Sequence, residues 1–304
     1  MKRRTFVSHL GKGALLPLVT SIPISAFAGS RNIEVTILHT NDVHSRIDPF
    51  PMDGGRNAGK GGAAKRSSLI AKIRKQQPNV LLFDSGDIFQ GTPYFNVFEG
   101  GPEMELMSMM HYDAATMGNH DFDLGVSGFE RQLGKANFPF IVSNYDFEDT
   151  LLDGKTKPYQ IFKRGGIKFG VIGLGIELEG LVPQALYGNT QYQNPIEKGD
   201  YYAGILKNDY HCDYIICLSH LGYRYREEKI SDVILASETK HIDLILGGHT
   251  HTFMREPEVV INRNGEPVLI HQAGWGGILL GQINLRFERN KKGVCLSCKN
   301  IVID

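Results

Sequence analysis

Apolar and polar residues alternate from Ile33 to Thr40, a pattern typical of a half-buried β-strand. A glycine-rich stretch follows, and the spacing of apolar residues from Ala63 to Ile73 then predicts a helix. The short apolar run Val80–Phe83 predicts a buried strand. Pro102 suits the first turn of a second helix, and Ala114–Met117 predicts another strand. Strands and helices therefore alternate through the first part of the chain.

The later chain contains more strands than helices. Tyr214–Leu218 and Ile242–Leu246 are mostly apolar and predict buried strands, whereas Ile161–Leu174, Val268–Ala273 and Ile278–Phe287 have the pattern of hairpins and further strands. Alternating strands and helices predict an α/β domain with largely parallel pairing in its first part. The hairpins after Ile161 predict a second, more mixed sheet. We find no internal repeat, so residues 29–304 are predicted to form one domain.

Composition and charge exclude several classes of protein. The 304 residues are 41% hydrophobic and 22% charged, which is typical of a globular protein and not of a disordered or collagenous chain. Four cysteines are too few for a disulfide-held fold. Residues 1–28 carry four basic residues and no acid, so the remainder has 29 basic residues against 33 acids. This mildly acidic body disfavours nucleic-acid polymers and membrane surfaces as partners.

The first 28 residues have the pattern of an export signal. A basic start precedes a modest apolar run, Ala14–Ile24, and the small-x-small sequence Ala26–Ala28 is typical of a signal-peptidase site. Arg3 and Arg4, with Phe6, are similar to a twin-arginine signal. A general secretory signal and a plain basic N-terminus are the alternatives. We expect cleavage after Ala28 and a periplasmic or secreted protein without a lipid anchor or stable membrane insertion.

Five predicted strands each end in a polar cluster. In open α/β sheets, ligands bind outside the carboxyl ends of the strands, so these clusters are expected to converge. A single histidine at a strand end is usually structural, but five such clusters are not explained by chance. The side chains expected around one point are Asp42, His44, Asp87, Asn119, His220, His249 and His251.

The residue types in these clusters indicate a metal site. Imidazoles, carboxylates and an amide, without a thiolate, suit Zn, Mn, Fe, Co or Ni. Seven side chains exceed what one tetrahedral ion can use, but they fit two divalent ions that share a carboxylate. Two such ions activate water and neutralise phosphoryl charge during in-line displacement at phosphorus. The ligand set therefore predicts phosphoester hydrolysis.

Five motifs carry a resemblance to a known family: Asp42-Val-His44, Gly86-Asp87-Ile-Phe-Gln-Gly-Thr-Pro, Gly118-Asn-His-Asp-Phe-Asp123, Ser219-His220 and Gly248-His-Thr-His251. The chain resembles the calcineurin-like metallophosphoesterases over about Ile33–Phe287. More narrowly, it is similar to the catalytic domain of secreted 5′-nucleotidases, a branch that includes UDP-sugar hydrolases and 2′,3′-cyclic phosphodiesterases. The resemblance implies a four-layer αββα sandwich, in which two mixed sheets pack together with helices outside.

The resemblance also implies a role for each candidate residue. His120 is similar to the family's catalytic histidine, which stabilises the transition state, and Asp123 would orient its imidazole. His251 departs from the pattern, because some nucleotidases of this branch carry an amide there, and this could change metal preference. The remaining assignments are Asp42, His44 and His251 for one ion, Asn119, His220 and His249 for the other, and Asp87 as the bridge between them.

Other candidate residues have weaker support. Asp84 is expected to stabilise a turn, and His39 to pack within the first strand. His271 is a candidate for a role beside the metal ligands. Among the cysteines, a zinc knuckle is disfavoured and free thiols are expected, with a disulfide in the Cys-x-x-Cys pair as the alternative; the residues concerned are Cys212, Cys217, Cys295 and Cys298.

The expected function is an exported, dinuclear phosphoesterase that hydrolyses nucleotides by in-line attack of a metal-activated hydroxide. The nucleotidases it resembles usually continue into a nucleotide-recognition domain, and we expect residues 29–304 to form the catalytic domain alone. A separately encoded recognition domain, or broader specificity as a phosphomonoesterase or cyclic phosphodiesterase, would account for this. Further alternatives are a sulfur-ester hydrolase and a non-catalytic, metal-dependent binding protein.

Overall fold

The computed structural model describes residues 32–288 and 293–304. The expected signal peptide, 1–28, lies outside the described residues. None of the helices in the described part is long and apolar enough to cross a membrane.

Strands form most of the described regular structure. They are β1 (Ile33–Thr40), β2 (Val80–Asp84), β3 (Ala114–Ala115), β4 (Tyr145–Asp146), β5 (Tyr159–Arg164), β6 (Ile167–Gly175), β7 (Gln191–Tyr192), β8 (Tyr214–His220), β9 (Leu244–Gly247), β10 (Glu258–Ile261), β11 (Pro267–His271), β12 (Leu279–Phe287) and β13 (Val294–Val302). The helices are α1 (Ala63–Gln76), α2 (Pro93–Phe98), α3 (Gly101–Met109), α4 (Gly125–Leu133), α5 (Gln184–Tyr187), α6 (Pro195–Asn208) and α7 (Asp232–Glu238), with a 3-10 turn at His120–Phe122.

Two large sheets pack face to face. The first has the order β13-β12-β1-β2-β3, and the second has the order β10-β11-β9-β8-β6-β5. In the first sheet β1, β2 and β3 are parallel, while in the second β6, β8, β9 and β11 are parallel. Antiparallel strands complete both sheets, which are therefore mixed, as expected.

The core has three apolar layers because successive strand residues point to opposite faces. Ile37 and Leu81 pack between the sheets, against residues such as Ile216. Their neighbours Leu38 and Leu82 face the opposite way, towards helices α1, α3 and α4. The outer face of the second sheet packs in the same manner against α6 and α7. The described residues form a four-layer αββα sandwich, as the family resemblance implies.

Two strands depart from the sequence-based expectation. Ile278–Phe287 was expected with the later, mixed sheet, but β12 pairs antiparallel with β1 in the first sheet. Its partner β13 forms the edge of the same sheet. The third predicted strand, Ala114–Met117, shortens to the two residues of β3. Local pattern identifies a strand but not its partner, which here lies more than 240 residues away along the chain.

The expectation of free thiols is wrong for two of the four cysteines. Cys295 and Cys298 form a disulfide on β13. A register shift opposite Asn284–Leu285 places an extra residue in β13, and both cysteines pack against the apolar layer between the sheets. Cys212 and Cys217 are free, as expected, and both are buried.

Candidate metal centre

The loops that follow β1 and β2 run side by side. Parallel pairing sets Thr40 opposite Asp84, so the two loops begin at the same level of the sheet. The backbone N–H of Asp42 then donates to the carbonyl of Gly86 at 2.9 Å, and that of His44 donates to Asp87 at 3.1 Å. The sheet register therefore brings the first two polar clusters into contact.

Left-handed backbone geometry is concentrated at the candidate ligands. Non-glycine residues rarely adopt positive φ, and such residues cluster at functional sites, where surrounding structure holds them. Five of the seven predicted ligands have φ between 50° and 70°: Asp42, His44, Asp87, His249 and His251. The loops thus hold the backbone of these residues in a conformation that an unconstrained chain would seldom adopt.

Two glycines allow the loops to approach each other closely. A Cβ atom at Gly118 would lie 2.2 Å from Oδ1 of Asp87. A Cβ atom at Gly86, where φ is 87°, would lie 2.5 Å from the backbone nitrogen of Gly118. Any side chain at either position would displace the Asp87 carboxylate or the loop that carries Asn119.

Asp121 connects these two loops through hydrogen bonds to their backbone. Its carboxylate accepts backbone hydrogen bonds from Asp87, Ile88, Phe89 and Gly118 at 2.8–3.2 Å. Burial, with a further contribution from the Asp87 charge, raises the pKa of Asp121 to about 7. Asp121 was not predicted from the sequence as a site residue, although it lies within the quoted Gly118–Asp123 motif.

Asp42, His44 and His251 form the first group of candidate ligands. Nε2 of His251 lies 3.3 Å from Oδ1 of Asp42 and 3.1 Å from Nε2 of His44. Nε2 of His44 lies 4.0 Å from the same Asp42 oxygen. Two imidazole nitrogens and one carboxylate oxygen therefore face a common point.

Asp87, His220 and His249 form the second group. Nε2 of His220 lies 3.1 Å from Oδ2 of Asp87, and both side chains are buried. Oδ1 of Asn119 lies 2.9 Å from Nδ1 of His249, which adds the predicted amide to this group. Within each group, one donor atom per residue lies within 4.8 Å of the others.

Asp87 lies between the two groups. Its Oδ2 is 3.1 Å from Nε2 of His220 in its own group and 3.9 Å from Nε2 of His44 in the other. Oδ1 of Asp42 is likewise 3.9 Å from Nε2 of His220. The structure thus brings all seven predicted ligands to one edge where the two sheets meet.

The donor atoms fit divalent metal ions. Nε2 of His220 is buried and makes no well-aligned hydrogen bond, although Oδ2 of Asp87 lies 3.1 Å away; a metal ion bound by both atoms would satisfy this nitrogen. The close approach of Nε2 in His44 and His251 suits a shared ion equally well. Nitrogen and oxygen donors without thiolate suit Zn, Mn, Fe, Co or Ni. The structure therefore contains two candidate metal sites.

Neighbouring charges shift the pKa values of the imidazoles in this centre in different directions. Burial alone would lower the pKa of His220, but the carboxylates of Asp87 and Asp42 raise it to about 10. The same interaction with His220 holds the pKa of Asp87 below its ordinary value despite burial. Burial, aided by the nearby His220 charge, lowers the pKa of His249 to about 4.

His120 and Asp123 form a more exposed pair beside the ligands. Nδ1 of His120 lies 3.0 Å from Oδ2 of Asp123, and their side chains are 37% and 29% exposed. The backbone N–H of His120 donates to Oδ1 of Asp87 at 2.9 Å, which places the ring next to the second group. The hydrogen bond from Asp123 raises the pKa of His120 above its ordinary value.

Two further residues support the first group. The Asn41 amide donates to Oδ2 of Asp42 at 2.6 Å and to the carbonyl of Gly274 at 2.7 Å. Trp275 stacks on His251, with ring centroids 5.9 Å apart. Asn41 could have been identified because it adjoins Asp42 in the first polar cluster. Trp275 gave no sequence signal, since it reaches the site through a distant loop.

The residues with weaker sequence support, Asp84 and His271, make hydrogen bonds that are consistent with structural roles. Asp84 accepts hydrogen bonds from Thr40 and from the backbone of Gly86, which is the turn-stabilising role expected of it. The hydrogen-bond partner of the His271 ring is another histidine of the interior. Nδ1 of His271 lies 2.8 Å from Nε2 of His39, and both rings are fully buried.

Comparisons with known proteins agree with this geometry. The family model described as calcineurin-like phosphoesterase matches residues 35–253. The snake venom 5′-nucleotidase of Crotalus adamanteus is 33% identical over 301 residues, which cover 92% of this chain and 49% of the relative. This chain spans about half the length of the curated 5′-nucleotidases that it matches.

Solved structures share the architecture. The 5′-nucleotidase precursor from Thermus thermophilus matches with a TM-score of 0.79 and 29% identity, over 89% of this chain and 54% of that one. The calcineurin-like phosphoesterase YfkN from Bacillus subtilis matches with a TM-score of 0.71 and 25% identity, over 90% of this chain and 91% of that one. On these matches, and in keeping with its two candidate metal sites, the chain belongs to the calcineurin-like phosphoesterase family.

Proposed function

We propose that this protein hydrolyses phosphate esters of nucleotides at the candidate metal centre. The observation that carries the proposal is the convergence of two ligand groups with Asp87 between them. Two divalent ions held there would supply an activated water and would neutralise charge on the phosphoryl oxygens. The proposed ligands are Asp42, His44 and His251 for one ion and Asn119, His220 and His249 for the other, with Asp87 shared.

His120 and Asp123 are the proposed acid–base pair. Asp123 holds Nδ1 of His120, and this contact fixes the ring and favours its protonated form. The half-exposed imidazole can therefore stabilise phosphoryl charge and donate a proton to the departing oxygen. Most of the proposed ligands are buried, whereas His120 is partly exposed. Substrate is therefore expected to approach the metal centre from the side of His120.

Nucleotides are proposed as substrates because the most similar proteins reported above are named 5′-nucleotidases. The phosphoryl group alone does not distinguish a nucleotide from other phosphomonoesters. Discrimination must come from contacts to the leaving group, since those contacts differ between substrates.

Metal content and turnover test this proposal together. We expect close to two ions per chain after reconstitution with Mn²⁺ or Zn²⁺, measured by elemental analysis, and release of phosphate from AMP. Chelation with EDTA should stop phosphate release, and added metal should restore it. A reproducible content of one ion or fewer would refute the dinuclear assignment, and full activity in EDTA would refute metal dependence.

Export is a separate proposal, supported by the leader sequence around Arg3 and Arg4. Replacing both residues, Arg3→Lys with Arg4→Lys, should leave unprocessed precursor in the cytoplasm if the twin-arginine route is used. Fractionation and N-terminal sequencing give the readout. Normal processing of the double variant, with Gly29 as its first residue, would indicate the general secretory route.

A further inference from the structure

A cavity of about 370 Å³ adjoins the segment that carries His44. One part of its lining is the chain from Arg46 to Pro49, which begins two residues after that candidate ligand. Another part begins at Thr92, whose hydroxyl donates to the carbonyl of Ser45 at 2.8 Å. The cavity is therefore lined by the chain that directly follows His44, and its volume lies within the range of small-molecule sites.

Two aromatic rings belong to the lining of this cavity. Tyr94 and Phe98, one turn apart on α2, stack with their ring centroids 6.3 Å apart. The Tyr94 hydroxyl donates to Asp48 at 2.7 Å, which fixes this ring. Phe98 remains 53% exposed and its neighbour Val97 67% exposed, so the helix presents unburied apolar surface to the cavity.

Arg46 connects the cavity with the metal centre. Its guanidinium lies 4.2 Å over the ring of Phe50, and Phe50 packs edge-on against Trp275 at 5.5 Å. Trp275 in turn stacks on His251 of the first ligand group. Nε of Arg46 is buried without a hydrogen-bond partner, and the side chain makes no ion pair within the described ranges 32–288 and 293–304.

We propose that this cavity is the subsite for the leaving group, and that it takes a planar aromatic group such as the base of a nucleotide. This inference rests on the proposed function and adds a specificity site to it. Aromatic rings bind bases by stacking, which tolerates differences between bases because each has a π-face. The guanidinium of Arg46 can stack on a planar ring or donate to a polar group of the substrate.

The test compares a substrate that has a ring with one that has none. We expect Phe98→Ala to raise KM for AMP roughly tenfold, the scale of losing one base–aromatic stack. KM for glycerol 2-phosphate should change less than twofold, because this ester has nothing to stack. Arg46→Gln should change the ratio of the two KM values in the same direction. The matched control is Met109→Ala, since Met109 is 73% exposed and lies outside the cavity.

A binding measurement separates this inference from the proposed function. Trp275 is the single tryptophan, so its fluorescence can report adenosine, which has a base but no phosphate to hydrolyse. We expect a saturable change in the wild type and in Met109→Ala, with about tenfold weaker binding in Phe98→Ala.

Each outcome has a distinct meaning. No saturable adenosine response in the wild type, or equal changes in KM for both esters in Phe98→Ala, would overturn the leaving-group subsite while hydrolysis persists. Adenosine binding without hydrolysis of either ester would support the subsite and refute the proposed function.

Discussion

The surroundings of two fully buried histidines in this molecule shift their pKa values in opposite directions. His220 lies in the candidate metal centre. There the carboxylates of Asp87 and Asp42 outweigh the effect of burial and raise its pKa to about 10. His39 lies in the interior, where burial and the neighbouring His271 lower its pKa well below the ordinary value. Burial is complete in both places, so the neighbouring groups decide the direction of the pKa shift.

The backbone differs between these two regions as well. His39 and His271 belong to regular strands, β1 and β11, and contact each other across the space between the sheets. The ligands of the candidate metal centre mostly follow the strands and adopt positive φ. The candidate ligands are concentrated where loops leave the sheets, while histidines within the strands pack in the interior.

The largest expected effect follows from removing the carboxylate between the two ligand groups. Asp87→Asn should lose nearly all phosphoesterase activity, because the two proposed ions would share that carboxylate. We expect the loss to exceed the roughly 10²–10⁴-fold contribution of one acid–base group. Metal content should fall with activity, as measured by elemental analysis and phosphate release. The control is Asp149→Asn, the same change on the exposed surface; an Asp87→Asn protein with two bound ions would contradict the bridging role.

The second prediction concerns the histidine beside the ligands. His120→Asn should keep two ions but lower kcat by roughly 10²–10⁴-fold, because the acid–base group is lost while the ligands remain. Asp123→Asn should produce a smaller decrease, since the imidazole remains but loses its orienting partner. Steady-state kinetics and metal analysis give the readouts. Loss of metal from His120→Asn would reclassify this residue as a ligand.

A smaller effect is expected at the exposed end of the candidate metal centre. The side chain of His251 is 41% exposed, unlike the buried His220. His251→Asn replaces a nitrogen donor with an oxygen donor, so metal preference should move from Zn²⁺ towards Mn²⁺. We expect zinc affinity on the order of tenfold weaker while the reaction is retained. Titration of both metals measures the change, and unchanged zinc affinity would exclude His251 as a ligand.

The last prediction concerns the interior pair. Burial lowers the pKa of His271 to about 4 and also lowers the pKa of His39. Both imidazoles therefore remain neutral in the folded protein at neutral pH. The unfolded chain takes up these protons near pH 6.5, so stability should fall as pH decreases from about 6.5 towards 4. Two such groups lower the free energy of unfolding by up to about 3 kcal/mol for each pH unit of this decrease.

Chemical denaturation at pH 7 and pH 5 checks this expectation. The double variant His39→Leu with His271→Leu removes both polar partners and should lose less stability between the two pH values. His111→Gln, an exposed histidine, serves as the control. An identical pH dependence in the wild type and the double variant would show that the pair is not responsible.

Much of the fold could be predicted because local patterns coincide with the elements. The alternation at Ile33–Thr40 matches β1 residue for residue, and its carboxyl end leads directly into Asp42 and His44. The pairing of β12 with β1 could not be predicted, because an apolar pattern states that a strand is buried but not which strand it pairs with. The Cys295–Cys298 disulfide also depended on a register shift that sequence spacing does not reveal.

The sequence by itself determined the ligand types, their order along the chain and their positions at strand ends. These features follow from local chemistry, since a motif keeps its residues wherever the chain takes it. Only the tertiary structure decided which histidines meet carboxylates and which, like His39 and His271, meet each other. Charge depends on distance and burial in three dimensions, and residues more than 100 positions apart set both.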